Sequence, residues 1–170
     1  MGLREVLANL DDIKAAGIIQ DFAIIGSYAV MFYDIPMLTT YDLDVLVVLT
    51  DEHDFHRLYE HCRTKGARIE GLYIFIEDMP VQFFPNYISP LFNSAVEEAN
   101  VVEFEGIHCK FPTIEYLIVL LLTSFRPKDK IRIQGLLKKA EESLLLRIIE
   151  RFDDEQHVLY QRYREVLAGT

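Results

Sequence analysis

The run TTYDLDVLVVLT, residues 39 to 50, would be an ordinary buried strand except that two aspartates, Asp42 and Asp44, stand at its entry with one leucine between them. Residues two apart on a strand point to the same face, so the spacing predicts two carboxylates about 7 Å apart on one side of a sheet. From Val45 to Leu49 the run is apolar on both faces, the pattern of a central strand covered on both sides. Two acids at the mouth of such a strand repel each other, and a proton, a basic side chain or a divalent cation relieves the repulsion. Oxygen ligands of this kind suit Mg2+, which is commonly held by one or two carboxylates together with a substrate's phosphates. The competing reading is structural, because an isolated D-x-D more often caps a turn than holds a metal.

Three other stretches carry residues with chemical potential. IIGSYAV, residues 24 to 30, sets Gly26 and Ser27 between a short apolar run and a helix pattern. Backbone N–H groups at such a helix start point outward and the helix dipole favours anions, so a phosphate can sit on Gly26 and Ser27; the alternative is an ordinary strand-to-helix turn. SFRPKDK, residues 124 to 130, with Arg132 beyond it, concentrates Arg126, Lys128, Lys130 and Arg132 in a chain of formal net charge −10. Lys128 stands at the start of a predicted helix, with Arg126 beside it and Asp129 as helix N-cap or as the group that orients the lysine. Against this stands a solvated basic turn. HDFHRLYEHC offers His53, His56, His61 and Cys62, but their spacing does not set three ligands on one helix face, and the apolar stripe explains the pattern. No zinc is expected there.

The elements that must position these residues follow from periodicity. Leu3, Val6, Leu7, Leu10 and Ile13 recur at helical spacing and predict a helix over residues 3–16, ending near Gly17. DFAIIG (21–26) reads as a strand and SYAVMFYDI as a helix that stops before Pro36. Residues 42–49 form a second strand. DEHDFHRLYEHCRTKG (51–66) forms a helix burying Phe55, Leu58, Tyr59 and Cys62, stopped by Gly66. LYIFIEDMPVQFF (72–84) reads as a hairpin turning at Asp78-Met79, FNSAVEEA as a short helix, and VVEFEGIHCKF as a second hairpin turning at Glu105-Gly106. From Pro112 the chain becomes helical, over 113–124, 129–140, 143–152 and 154–167, the last behind a DDEQ capping signal. The class is α+β: a mixed α/β core over 1–111, then a helical region over 112–170 packed on it as one compact unit.

Composition limits the partners. A 170-residue chain fits one domain, and 51% apolar content without repeats or Pro/Ser-rich tracts predicts that all of it folds. IEYLIVLLLTSF is about a dozen residues against the ~20 a bilayer requires, and the N-terminus carries acids where a signal peptide carries cations, so a soluble cytoplasmic protein is expected. Cys62 and Cys109 form no CxxC pair and read as buried thiols. The negative charge repels phosphate backbones, which disfavours long nucleic acid and favours a small ligand or a partner protein.

Glycine-serine turn, helix, then D-x-D entering an apolar strand: this order resembles the DNA polymerase beta-like nucleotidyltransferase superfamily, and within it the small bacterial AbiEii-type group. GSYAVMFYDIP, TTYDLDVLV, MPVQFFP and TIEYLIVLLLTSFRPKDKIRI carry the resemblance, which covers most of residues 20–140. It implies the nucleotidyltransferase fold, a small mixed β-sheet packed with helices and followed by a C-terminal helical bundle. It also implies Mg2+-dependent transfer of a nucleoside monophosphate from an NTP to the hydroxyl of an unknown acceptor, a small molecule, a protein or an RNA end. Gly26 and Ser27 would hold the phosphates, Asp42 and Asp44 two Mg2+ ions, and a basic residue at the start of the helix after SFRP, for which Lys128 is the candidate, would contact the triphosphate. A third carboxylate is implied on the neighbouring strand, where this chain has Gln82. An amide can coordinate Mg2+ through its oxygen, but it supplies no charge and cannot act as a base. A two-residue loop at Asp78-Met79 would pair Phe75 with Gln82 and set Glu77 diagonally beside it, either as a substitute carboxylate or as an exposed acid at a hairpin end. The basic residue implied before the aspartates is also missing, since Met37, Leu38, Thr39 and Thr40 fill that stretch. The sequence therefore leaves three readings: an active enzyme, a nucleotide-binding protein that has lost turnover, and a toxin–antitoxin component with a vestigial pocket.

Overall fold

The computed structural model describes residues 2–36 and 40–169. The stretch in which the implied basic residue is missing therefore falls mostly outside the described residues. The chain begins with α1 (Leu3–Ala15), whose Val6, Leu7, Leu10 and Ile13 are buried at the predicted spacing. Next come β1 (Asp21–Ile25), α2 (Gly26–Phe32), β2 (Leu43–Val48) and α3 (Glu52–Thr64). Asp51 caps α3 by accepting from the amides of His53 and Asp54. β3 (Arg68–Glu70), β4 (Tyr73–Ile76) and β5 (Met79–Pro85) follow, then α4 (Pro90–Glu97) and the hairpin of β6 (Asn100–Phe104) and β7 (Ile107–Phe111). Four helices finish the chain: α5 (Ile114–Ser124), α6 (Pro127–Leu137), α7 (Glu142–Phe152) and α8 (Val158–Ala168). The architecture is α+β, with a mixed sheet and a helical C-terminal bundle.

The main sheet has the order β1-β2-β5-β4-β3. β2 lies centrally, antiparallel to β1 and parallel to β5, and its Leu43, Val45, Leu46 and Val47 are fully buried. This is the two-sided burial that the continuous apolar run predicts. The parallel pairing requires the crossover that α3, β3 and β4 supply. α5 is buried nearly all round, from Glu115 to Leu122, and packs against α4, α6, α7 and α8. It is the axis of the bundle, and one continuous apolar core joins it to the sheet. Cys62 and Cys109 are buried free thiols, and burial pushes the Cys62 thiol up to about 11. Among the described residues no helix is long and apolar enough to cross a membrane.

One strand lies outside the expectations, and three expectations need correction. β3 has no sequence signal: its Arg68, Ile69 and Glu70 are all exposed on a sheet edge, so no alternation marks it. The first hairpin turns at Glu77-Asp78, not Asp78-Met79, because both acids take left-handed backbone conformations, φ 50° and 65°, of the kind a tight two-residue turn demands. α6 starts at Pro127 rather than 129, since proline's fixed φ and missing N–H suit the first helical turn. α8 starts at Val158, with Asp153 reaching forward to accept from the amides of Leu159 and Tyr160. The second hairpin turns where predicted, at Glu105 and Gly106.

Candidate active site

Strand register builds the floor of the site. Asp44 stands opposite Ile25 of β1 on one side and opposite Gln82 of β5 on the other, and Gln82 in turn stands opposite Tyr73 of β4. Directly opposed residues share a face, so Ile25, Asp44, Gln82 and Tyr73 form one row across four strands. All four line a cavity of about 350 Å³ closed by α5 and the start of α6. Asp42, two residues before Asp44, opens into the same cavity, and the Thr40 hydroxyl donates to its carboxylate at 3.4 Å.

Gly26 follows directly on β1 with φ +64°. A Cβ built there would lie 2.1 Å from Asp44 Oδ2, so the carboxylate rests against bare backbone. Only glycine allows that approach in that conformation. Beside it, Ser27 Oγ accepts from Arg132 Nη2 at 2.5 Å, a contact between α2 and α6 across 105 residues of sequence.

The cationic wall is organised by a buried acid. Asp129, fully buried on the first turn of α6, accepts from Ser124 Oγ at 2.8 Å, from the Arg126 amide at 3.0 Å, from Arg126 Nε at 2.9 Å and from Arg132 Nη1 at 3.2 Å. Burial alone would push its carboxyl up, but the hydrogen bonds from Arg126 and Ser124 hold it below the usual range. Asp129 therefore grips two arginines and does not orient Lys128. Lys128 and Arg126 line the same cavity. Arg132 is itself buried, and its Nε has no hydrogen-bond partner among the described residues.

The electrostatics divide the cavity into two. Burial, and then the nearby Asp42 charge, raise the Asp44 carboxyl above its ordinary value, against the opposing pull of Arg126, Lys128 and Arg132. A partly desolvated acid pair held at the edge of a cationic wall is a demand for a further positive charge on the carboxylate side. The donor set is hard oxygen: two carboxylates and, directly beside Asp44, the Gln82 amide. That chemistry suits Mg2+, which prefers hard oxygen ligands. No group of three or more acidic, histidine or cysteine side chains able to hold a metal occurs among the described residues, so the site supplies two acids and not three.

Seven of the residues singled out in the sequence come together here: Gly26, Ser27, Asp42, Asp44, Gln82, Arg126 and Lys128. Glu77 does not. With the turn at Glu77-Asp78 the partner of Gln82 is Tyr73, not Phe75, and Glu77 lies at the far end of the hairpin on a separate groove beside α1 and α3. It cannot replace the missing carboxylate. Among the other lining residues, Arg132 stands out in the sequence only as a member of the basic cluster, and Tyr73 carries no signal there. The signal for Arg132 is its place one helical turn after Asp129, where an i, i+3 ion pair forms.

No protein-family model and no curated protein matches the chain. Solved structures do. An antigenic nucleotidyltransferase-like protein from Paracoccidioides brasiliensis superposes with a TM-score of 0.62 at 13% identity, covering 99% of this chain and 88% of that one. The antibiotic-resistance factor ANT(2'')-Ia in solution gives 0.55 at 13%, covering 98% and 96%. ANT(2'')-Ia in complex with adenylyl-2''-tobramycin gives 0.53 at 14%, covering 95% and 96%. The fold is thus that of nucleotidyltransferase-like proteins. At such identities the likeness speaks for the fold, and function must be argued from the site.

Proposed function

We propose that the chain is a Mg2+-dependent nucleotidyltransferase of the cytoplasm, moving a nucleoside monophosphate from an NTP to an acceptor hydroxyl. The observation that carries this reading is the meeting, in one cavity, of the Asp42–Asp44 pair, the Gly26-Ser27 turn and the Arg126, Lys128 and Arg132 cations. Such a cavity suits a metal–triphosphate, which presents a cation to the acids and phosphate oxygens to the guanidinium and ammonium groups. Asp42, Asp44 and the Gln82 oxygen would hold Mg2+, whose contribution is to neutralise charge on the phosphates. Ser27 can donate its hydroxyl hydrogen to a phosphate oxygen while accepting from Arg132, and the buried Arg132 Nε offers a further donor. The similarity to a protein solved with adenylyl-2''-tobramycin supports a hydroxyl-bearing small molecule as acceptor. Placement in the AbiEii-type group, and a toxin–antitoxin role with a partner protein, rest on motif order.

Gln82 favours a second reading, nucleotide binding without turnover. It stands directly beside Asp44, where the resemblance implies a third carboxylate, and an amide cannot take the proton of an attacking hydroxyl. Titration calorimetry with ATP, CTP, GTP and UTP, with and without Mg2+, tests both. Mg2+-dependent binding that disappears in the Asp42→Asn/Asp44→Asn double variant is expected, and unchanged affinity in that variant sinks the metal role. Pyrophosphate release in the presence of hydroxyl acceptors then separates the active enzyme from the binding protein.

A further inference from the structure

α5 ends in a left-handed residue, as many helices do, but that residue is phenylalanine and not glycine. Its C-terminal cap residue Phe125 takes φ 48° and ψ 35°, a left-handed conformation unfavourable for a bulky side chain, and Pro127 prevents the helix from continuing. The residues after this bend, Arg126 and Lys128, line the cavity. The direction in which the chain leaves Phe125 therefore sets where both cations point.

What holds Phe125 there comes from α8. Arg162 Nη1 donates to the Leu122 carbonyl at 2.7 Å and to the Thr123 carbonyl at 2.8 Å, two of the acceptors that the end of α5 leaves without intrahelical partners. The same guanidinium lies 5.1 Å from the centre of the Phe125 ring, and Lys130 Nζ lies 4.5 Å from it. Lys130 is in turn paired with Glu165 of α8 at 2.5 Å. Asp129 grips the turn through Ser124 and Arg126, and α8 grips it through the Leu122 and Thr123 carbonyls. Arg162 is not among the residues that line the cavity.

We propose that Arg162 is a positioning residue: by capping α5 and clamping Phe125 it fixes the one turn conformation that aims Arg126 and Lys128 at a bound triphosphate. The inference rests on the nucleotidyltransferase reading above. It makes α8 part of the binding apparatus without any contact to the ligand.

The test compares Arg162→Met and Arg162→Lys in the full chain, by calorimetry with ATP and Mg2+ and with tripolyphosphate, and by amide hydrogen exchange. Arg162→Met is expected to weaken both ligands about tenfold, the effect of misaligning one charge-assisted contact. Exchange should quicken over residues 123–130 and stay unchanged in the sheet. Arg162→Lys, which keeps a cation over the ring and donors for the carbonyls, should recover most of the affinity. Arg162→Gln serves in the same assays where Arg162→Met does not fold. Unchanged affinity in the Met or Gln variant, no recovery by lysine, or faster exchange throughout the chain overturns the positioning role. Wild-type protein that binds neither ATP nor tripolyphosphate overturns the nucleotidyltransferase reading itself, and this inference with it.

Discussion

Gly26→Ala isolates the closest approach in the site. The substitution meets two penalties. An L-residue at φ +64° is left-handed, and the new Cβ would stand 2.1 Å from Asp44 Oδ2, 3.0 Å from its Cγ and 3.1 Å from its Cβ. The backbone term costs about 1–2 kcal/mol and the overlap about 1–3 kcal/mol, since Asp44 sits on a central strand and cannot retreat freely. Together they come to about 2–5 kcal/mol, on the order of a 10 °C fall in Tm for a chain of this size. Two comparisons separate the terms. Gly66 also has positive φ, +88°, and a Cβ added there would meet nothing within 4 Å, so Gly66→Ala should show the backbone term alone. In an Asp44→Ala background the carboxylate is gone, and Gly26→Ala should then cost little more than Gly66→Ala. Thermal unfolding of the four Gly26/Asp44 combinations and of Gly66→Ala supplies the cycle. An unchanged Tm in Gly26→Ala, or the same loss with and without the Asp44 carboxylate, would show that the two groups are not in contact.

Asp44→Asn should stabilise the protein and flatten its pH dependence. The folded-state carboxyl is raised by burial and by Asp42, so its ionisation favours the unfolded chain: wild type is relieved of that cost below the ordinary aspartate value and bears it fully once pH has risen past the raised one. The Tm difference between variant and wild type should therefore grow with pH across that window, and a difference that shrinks as pH rises would contradict the assignment. Gln82→Asp places a third carboxylate directly beside Asp44. In chelator its Tm should fall below wild type, and Mg2+ with nucleotide should restore it by linkage. A Tm insensitive to both additions would remove Gln82 from the proposed metal site.

What can be read in the sequence is local. DFAIIG and LDVLVV are short apolar runs of strand length and SYAVMF opens on a cap-competent serine, so β1, α2 and β2 and the shared face of Asp42 and Asp44 follow from a few neighbouring residues. The turn at Glu77-Asp78 escapes such a reading because neither residue is glycine or asparagine, the residues that normally announce two successive left-handed conformations. Misplacing that turn by one residue is enough to exchange Tyr73 for Phe75 opposite Gln82 and to draw Glu77 toward a site it does not reach. The start of α6 is legible in principle, since Pro127 is a first-turn residue. The Ser27–Arg132 contact is not, because nothing local to either residue specifies a partner 105 positions away.

That contact bears on the division proposed at residue 111. The α/β portion supplies Gly26, Ser27, Asp42, Asp44 and Gln82, and the helical portion supplies Arg126, Lys128, Arg132 and the Asp129 that holds two of them. The first set alone concentrates negative charge and the second positive. Each therefore lowers the electrostatic cost of the other. The Arg126 guanidinium is held above its ordinary value chiefly by the hydrogen bond to Asp129 of its own portion, with Asp44 and Asp42 of the other portion adding to it. The cations in turn temper the rise at Asp44. A metal–triphosphate spans both charges, so its binding would bridge the Ser27–Arg132 contact and not one portion alone. The boundary in sequence is then a seam through the site, and the α5–α6 turn is where the helical portion meets it.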